Sequence, residues 1–188
     1  APFKNIHSVC SENSSHFNEL KEVFNSVSIT TSSIAYDPFN KLEEIPKSPK
    51  ERYKIMTSEM PKSGKLSLDM MYKTAGIQIN YDYTSEEDFE KKFKIGNYLA
   101  PLTIALFANS PFNENNLSGY LSYRGKVWQE TNRGGIMPIT FEKVNFEKYV
   151  DNTINYPILF LKKKGKYFSP NGQTFKDFLD GSLNFLKG

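Results

Sequence analysis

Strict side-chain alternation, well-capped amphipathic helices and a lysine-bearing hairpin together predict an α+β fold, a largely antiparallel sheet with packed helices. Alternation is clearest over 74–82, where Ala75, Ile77, Ile79 and Tyr81 interleave with Thr74, Gly76, Gln78, Asn80 and Asp82. One face of such a strand is apolar and the other carries amides, hydroxyl and carboxylate. The helix signal follows at once: Thr84 and Ser85 offer an N-cap, and Glu86, Glu87 and Asp88 complement the positive end of a helix dipole. Residues 157–168, with Lys162, Lys163 and Lys164 before Gly165, read as a hairpin.

The remaining elements follow in chain order. Over 14–27, Phe17, Leu20, Val23, Phe24 and Val27 share one helical face, and the β-branched run 28–36 predicts the next strand. Prolines make 37–50 a loop. A helix over 51–60, with Arg52 in its first turn, ends before Pro61; a turn at 62–65 leads into a short helix around Leu68 and Met71. The long helix after Ser85 directs Phe89, Phe93, Leu99, Leu102 and Leu106 to the core, bends at Pro101 and stops by Pro111. It is expected to lie across the apolar face of the sheet, with Ile77 and Ile79 beneath it. A helix over 145–155 and a short one over 174–179, closed by Gly181, complete the prediction.

Length and composition narrow the function classes. At 188 residues the chain fits one domain or a large piece of one. A net charge of +3 with dispersed lysines argues against nucleic acid as a partner. No apolar run reaches the roughly 18 residues of a membrane helix, and the start lacks the apolar stretch of a secretory signal, so a cytoplasmic address is the default expectation. A single cysteine, Cys10, excludes an internal disulfide, and two histidines, His7 and His16, leave no Cys/His zinc cluster.

Arg52, Arg124 and Arg133 are the chain's three arginines among 24 basic residues. Lysine serves wherever a plain cation suffices, so a retained arginine points to a place that needs the planar fork matching carboxylate or phosphate. Arg124 and Arg133 flank Trp128, the single tryptophan, and on a helix Arg124 and Trp128 share a face. That segment is the best candidate for gripping an anion, with surface salt bridges as the alternative. Gln78 and Asn80 are amides that can serve a metal or a phosphate, or simply face water. Trp128 can wall a pocket or fill a core.

Met60-Pro61-Lys62, Leu68-Asp69-Met70-Met71, Gln78-Ile79-Asn80, the run from Ala105 to Phe112, and Arg124 with Trp128, in this order and spacing, resemble the plant and proteobacterial type of glutamate–cysteine ligase. The resemblance runs almost end to end, through Cys10, Arg52-Tyr53, Tyr149-Val150-Asp151, Pro157 and Thr174-Phe175. It implies ATP- and Mg2+-dependent ligation of the glutamate γ-carboxylate to the cysteine amine through an acyl phosphate. It also implies a cup-shaped antiparallel sheet like that of glutamine synthetase. In matching positions it makes Arg124 and Arg133 catalytic candidates, and Arg52, Met60, Gln78, Asn80 and Trp128 substrate-binding ones. Cys10 falls where some relatives carry a redox-sensitive cysteine; the alternative is an ordinary buried thiol. Leu159 stands where relatives have a tyrosine, which departs from that pocket. The resemblance makes residues 1–188 an internal portion of one catalytic domain, with the acidic metal ligands falling outside them. A related carboxylate–amine ligase with another acceptor, or a binding module incomplete for catalysis, are the competing readings.

Overall fold

The computed structural model describes residues 3–62, 64–131 and 143–183. They form two compact units, Ala1–Ser33 and Ile34–Gly188. The first unit is a single helix, α1 (Ile6–Ser26), which begins eight residues before the expected start because Asn5 caps it, accepting the Ser8 N–H at 2.9 Å. It ends in a Schellman-type closure: Ile29 N–H reaches Phe24 C=O at 2.9 Å while Ser28 takes a positive φ of 57°. No residue of α1 is buried, and Cys10 is a free, exposed thiol rather than a core cysteine.

In the second unit, α2 (Glu51–Glu59) runs into a 3-10 turn, Met60–Lys62, and α3 (Ser67–Lys73) follows. The long α4 (Glu86–Leu106) starts where the acids predicted it, with Ser85 Oγ accepting the Asp88 N–H at 3.1 Å. A short hairpin, β1 (Phe112–Asn113) and β2 (Asn116–Leu117), turns through Glu114 and Asn115, both at positive φ. Next come α5 (Tyr123–Gln129), α6 (Phe146–Ile154), the expected hairpin of β3 (Leu161–Lys163) and β4 (Lys166–Phe168), and α7 (Phe175–Leu179). Thr174 and Asp177 cap α7 reciprocally, and Gly181 ends it at a φ of 68°.

Two packing centres hold this unit. Phe89 and Phe93 of α4 meet Phe146 and Tyr149 of α6, with ring centroids 5.1 Å apart for Phe89 and Phe146. Glu86 reinforces the contact by accepting the Phe146 N–H at 2.8 Å, which also satisfies an open donor at the start of α6. The other centre lies where α3 packs on α5, around the buried Tyr36, Met60, Ser67 and Val127.

The expected sheet is absent among the described residues. The described residues are mainly helical, and their strands make only two separate two-stranded antiparallel hairpins, so the α+β reading with a glutamine-synthetase-like cup is corrected. The run 28–36 contributes one bridge, Tyr36 with Thr74, and 75–83 is extended but joins no ladder. Ile77 is 91 % exposed and Ile79 67 %, so neither is core, and Leu99, Leu102 and Leu106 of α4 are exposed as well. The physical reason is that alternation reports which side chains share a face; it says nothing about whether a second backbone lies alongside to pair with.

This exposure reverses the stability expected at the strand. Ile77→Ala and Ile79→Ala should each change unfolding free energy of the 188-residue chain by less than about 0.5 kcal/mol, as exposed positions do. Val127→Ala, which opens a cavity at a position with 0 % exposure, should cost roughly 1–3 kcal/mol. Urea denaturation of the three variants checks the ranking.

Candidate anion-binding site

Ser110 positions the arginine that the sequence singles out. Its N–H donates to Leu121 C=O at 3.1 Å and its carbonyl accepts the Tyr123 N–H at 2.9 Å. Its buried hydroxyl accepts the Arg124 N–H at 3.1 Å. Two of the first amides of α5, which have no intrahelical acceptor, are thereby satisfied. Ser122 serves a third, its Oγ accepting the Gly125 N–H at 3.2 Å. The start of α5 is thus fixed in place by the Asn109-Ser110-Pro111 segment, and Arg124 leaves it at a defined point.

One turn later Trp128 lies under the guanidinium, whose central carbon is 5.6 Å from the indole centroid. The extended segment supplies the other wall. A Cβ built on Gly76 would stand 2.7 Å from Arg124 Nη2 and 3.3 Å from Cζ. Backbone without a side chain therefore lets the guanidinium lie close. Arg124 Nε and Trp128 Nε1 are both buried, and neither has a hydrogen-bond partner among the described residues. Two buried donors left open one helical turn apart, one of them cationic, are a costly arrangement that an anionic acceptor would relieve.

The other candidates are dispersed. Gln78 and Asn80 do share a side of the extended segment, as alternation requires, and Gln78 Nε2 donates to Asn80 Oδ1 at 3.1 Å, both exposed. Arg52 is exposed on α2, its guanidinium 5.3 Å from the Tyr53 ring, and Met60 is buried in the turn after α2. Arg133 lies outside the described residues. A cleft of about 270 Å3 between α4 and α5, lined by Ile104, Ala105, Tyr120, Leu121 and Lys126, includes neither Arg124 nor Trp128. Its walls are mainly apolar, so it is not where an anion is gripped. Gly76 and Ser110 were missed by sequence reasoning; a glycine interrupting the polar face of an alternating run was the available signal for a close approach.

Beside the site the Tyr123 phenol stays protonated. Burial, then the nearby Asp69 and Glu114 carboxylates, raises the Tyr123 phenol above its ordinary range. Ser110→Ala removes the acceptor for the Arg124 amide and should lower stability by about 1–2 kcal/mol. Ser122→Ala, which strips a single cap, should cost at most about the same. Thermal melts of both variants decide it; a silent Ser110→Ala would show that water replaces the hydroxyl.

The comparisons with known proteins agree with the resemblance. The family model described as glutamate–cysteine ligase family 2 (GCS2) matches residues 1–180. The chain is 41 % identical to the chloroplastic glutamate–cysteine ligase of Nicotiana tabacum over 191 aligned residues, covering 100 % of this chain and 37 % of that protein. It is 42 % identical to the chloroplastic enzyme of Arabidopsis thaliana over the whole chain, and 41 % identical to enzyme A of Oryza sativa subsp. japonica over 97 % of it. The chain spans 37 % and 38 % of the length of those two relatives. These relatives are chloroplastic by name, which overturns the cytoplasmic address expected by default. With the family model covering nearly its whole length, the chain belongs to the glutamate–cysteine ligase family 2.

Proposed function

We propose that this chain supplies the anion-gripping portion of a ligase that joins the γ-carboxylate of glutamate to the amine of cysteine, and that these 188 residues do not complete the reaction alone. The observation that carries the reading is the pair of open buried donors, Arg124 Nε and Trp128 Nε1. In such a ligation ATP phosphorylates the γ-carboxylate and ADP departs, the cysteine amine attacks the acyl carbon and loses a proton, and phosphate leaves with the former carboxylate oxygen that bridged it to carbon. No protein nucleophile is needed. The protein has to hold anions in line and offset charge, which suits a fixed guanidinium fork with an indole N–H beside it.

Arg124 takes a substrate carboxylate or the oxygens of the transferring phosphoryl group, and Trp128 walls the site and donates from Nε1. Gln78 and Asn80 offer exposed amides within the same stretch of chain as Gly76. The donor set fits the anionic parts of glutamate and ATP. It does not fit Mg2+, because a guanidinium and an indole N–H are donors and cannot ligate a cation, and among the described residues no three His, Cys, Asp or Glu side chains come together. No step is therefore assigned to the metal here. The share of the relatives' length that the chain spans supports the incomplete-catalysis reading over an autonomous enzyme. A related ligase with another amine acceptor would use the same anion site and differ at the acceptor pocket.

Two measurements test this. The purified 188-residue chain should show no glutamate-dependent ATP hydrolysis and form no γ-glutamylcysteine; turnover proportional to protein concentration would refute incompleteness. In a chimera, these residues replace the matched stretch of the Nicotiana tabacum enzyme. Arg124→Lys should there lower kcat/KM by about thirtyfold or more, the equivalent of roughly 2 kcal/mol, because lysine keeps the charge and loses the fork. Near-parental kcat and glutamate KM in that variant would remove Arg124 from the substrate.

A further inference from the structure

We propose that Tyr36 is a positioning residue for Arg124, seating both walls of the anion site from a part-buried polar cluster made with Asp69, Lys73 and Asn113. The proposal rests on the reading of Arg124 as the anion-gripping group. Its geometry is independent of that reading.

Tyr36 is 1 % exposed, and its hydroxyl lies 2.9 Å from Asp69 Oδ1 and 3.2 Å from Asn113 Oδ1. Lys73, 3 % exposed, donates from Nζ to the same Asn113 oxygen at 3.1 Å and stands 4.7 Å from the centre of the Tyr36 ring. The ammonium has no acceptor to give, so it holds the Asn113 amide with oxygen inward. The single phenolic proton then goes to Asp69, the nearer and anionic acceptor, with Asn113 as second acceptor. Burial, then the Asp69 carboxylate, pushes the Tyr36 phenol far above its ordinary range, so it remains a donor across the physiological range.

From this fixed point Tyr36 reaches each wall in one step. Its backbone bridges Thr74, with Asp37 N–H on Lys73 C=O at 2.8 Å and Ala75 N–H on Ala35 C=O at 3.0 Å. Gly76, against which the guanidinium lies, is the next residue. The Tyr36 ring meets Tyr123 edge to face, centroids 5.1 Å apart and planes at 76°, and Tyr123 immediately precedes Arg124. A hydroxyl anchored on α3 and β1 therefore sets the spacing between the Gly76 backbone and the first turn of α5.

Trp128 is the sole tryptophan, and so its fluorescence reports the Arg124 stack without any ligand. In the 188-residue chain, Tyr36→Phe keeps the ring and loses the anchor; the acrylamide quenching constant of Trp128 should rise about twofold while far-ultraviolet circular dichroism stays unchanged. Asp69→Asn retains an acceptor oxygen and should stay close to the parent, whereas Asp69→Leu should follow Tyr36→Phe. Unchanged quenching in Tyr36→Phe and Asp69→Leu would overturn the proposal, even if their melting temperatures fell. If Tyr36→Phe loses its helical signal, the Asp69→Asn and Asp69→Leu pair is read by the same criterion; unfolding of all three would assign the cluster to folding alone and also overturn it. No anion is added in this assay. A failure of Arg124 to bind substrate in the chimera therefore leaves the result standing, and the converse holds.

Discussion

A lysine ammonium buried with no carboxylate in hydrogen-bonding reach among the described residues is the constraint around which the second unit is arranged. Lys73 has to be compensated by whatever surrounds it, since an isolated buried charge is far more costly than any single hydrogen bond returns. The Asn113 oxygen and the face of Tyr36 supply that compensation, and Asp69 and Asp37 lie near enough to add long-range attraction. Asp37 itself bears the imprint: burial alone would raise its carboxyl. The side-chain and backbone hydrogen bonds from Asn40 and Phe39, with Lys73 behind them, hold it below the ordinary carboxylate range. These partners come from three stretches of chain, so satisfying one charge ties the 34–37 segment, α3 and the β1–β2 hairpin together.

What was legible in the sequence follows from how local each signal is. Ser85 with three acids, Thr174 with Asp177, and Lys164-Gly165 between two short strands need only neighbouring residues to act, and all three appear as read. Arg124 and Trp128 were paired by helical spacing, and α5 stacks them. The failures are non-local. Nothing in Ile77 or Ile79 states whether a second backbone lies beside them, and the start of α1 was missed because the polar run 11–16 separates Ile6, Val9 and Cys10 from the apolar face that begins at Phe17, while Asn5 caps the earlier turn. Tyr36, Lys73 and Asn113 carry no motif at all. Their spacing of 37 and 40 residues is set by tertiary structure, so only the fold could bring them together.

Conflicting pressures meet at the seat of Arg124. An interior arrangement that served stability alone would pair the guanidinium Nε and the indole N–H, or replace them with apolar groups of similar volume. Here both donors are enclosed yet open, while the first amides of α5 are bonded to Ser110 and Ser122. Local strain on stability confined to two side chains, with a rigidly bonded frame around them, is the pattern expected of a preorganised binding group and not of a poorly packed core.

The identity of the cation follows from the same seat. A lysine at position 124 would present a compact, strongly hydrated ammonium on a flexible stem, and it would bring no planar group between Trp128 and the Gly76 backbone. Arginine is more weakly hydrated and can give up water on one face to the indole while keeping forked N–H groups for a partner. Elsewhere on this chain, where cations meet single carboxylates in solvent, lysine suffices: Lys62 with Glu59, Lys92 with Asp88 and Lys126 with Glu130 are helix-surface pairs three or four residues apart. Such pairs contribute only a few tenths of a kcal/mol and tolerate either cation. The rarity of arginine in the composition and the enclosed, two-sided seat of Arg124 therefore have one cause: a guanidinium is retained where a plane, and not merely a charge, has to be held.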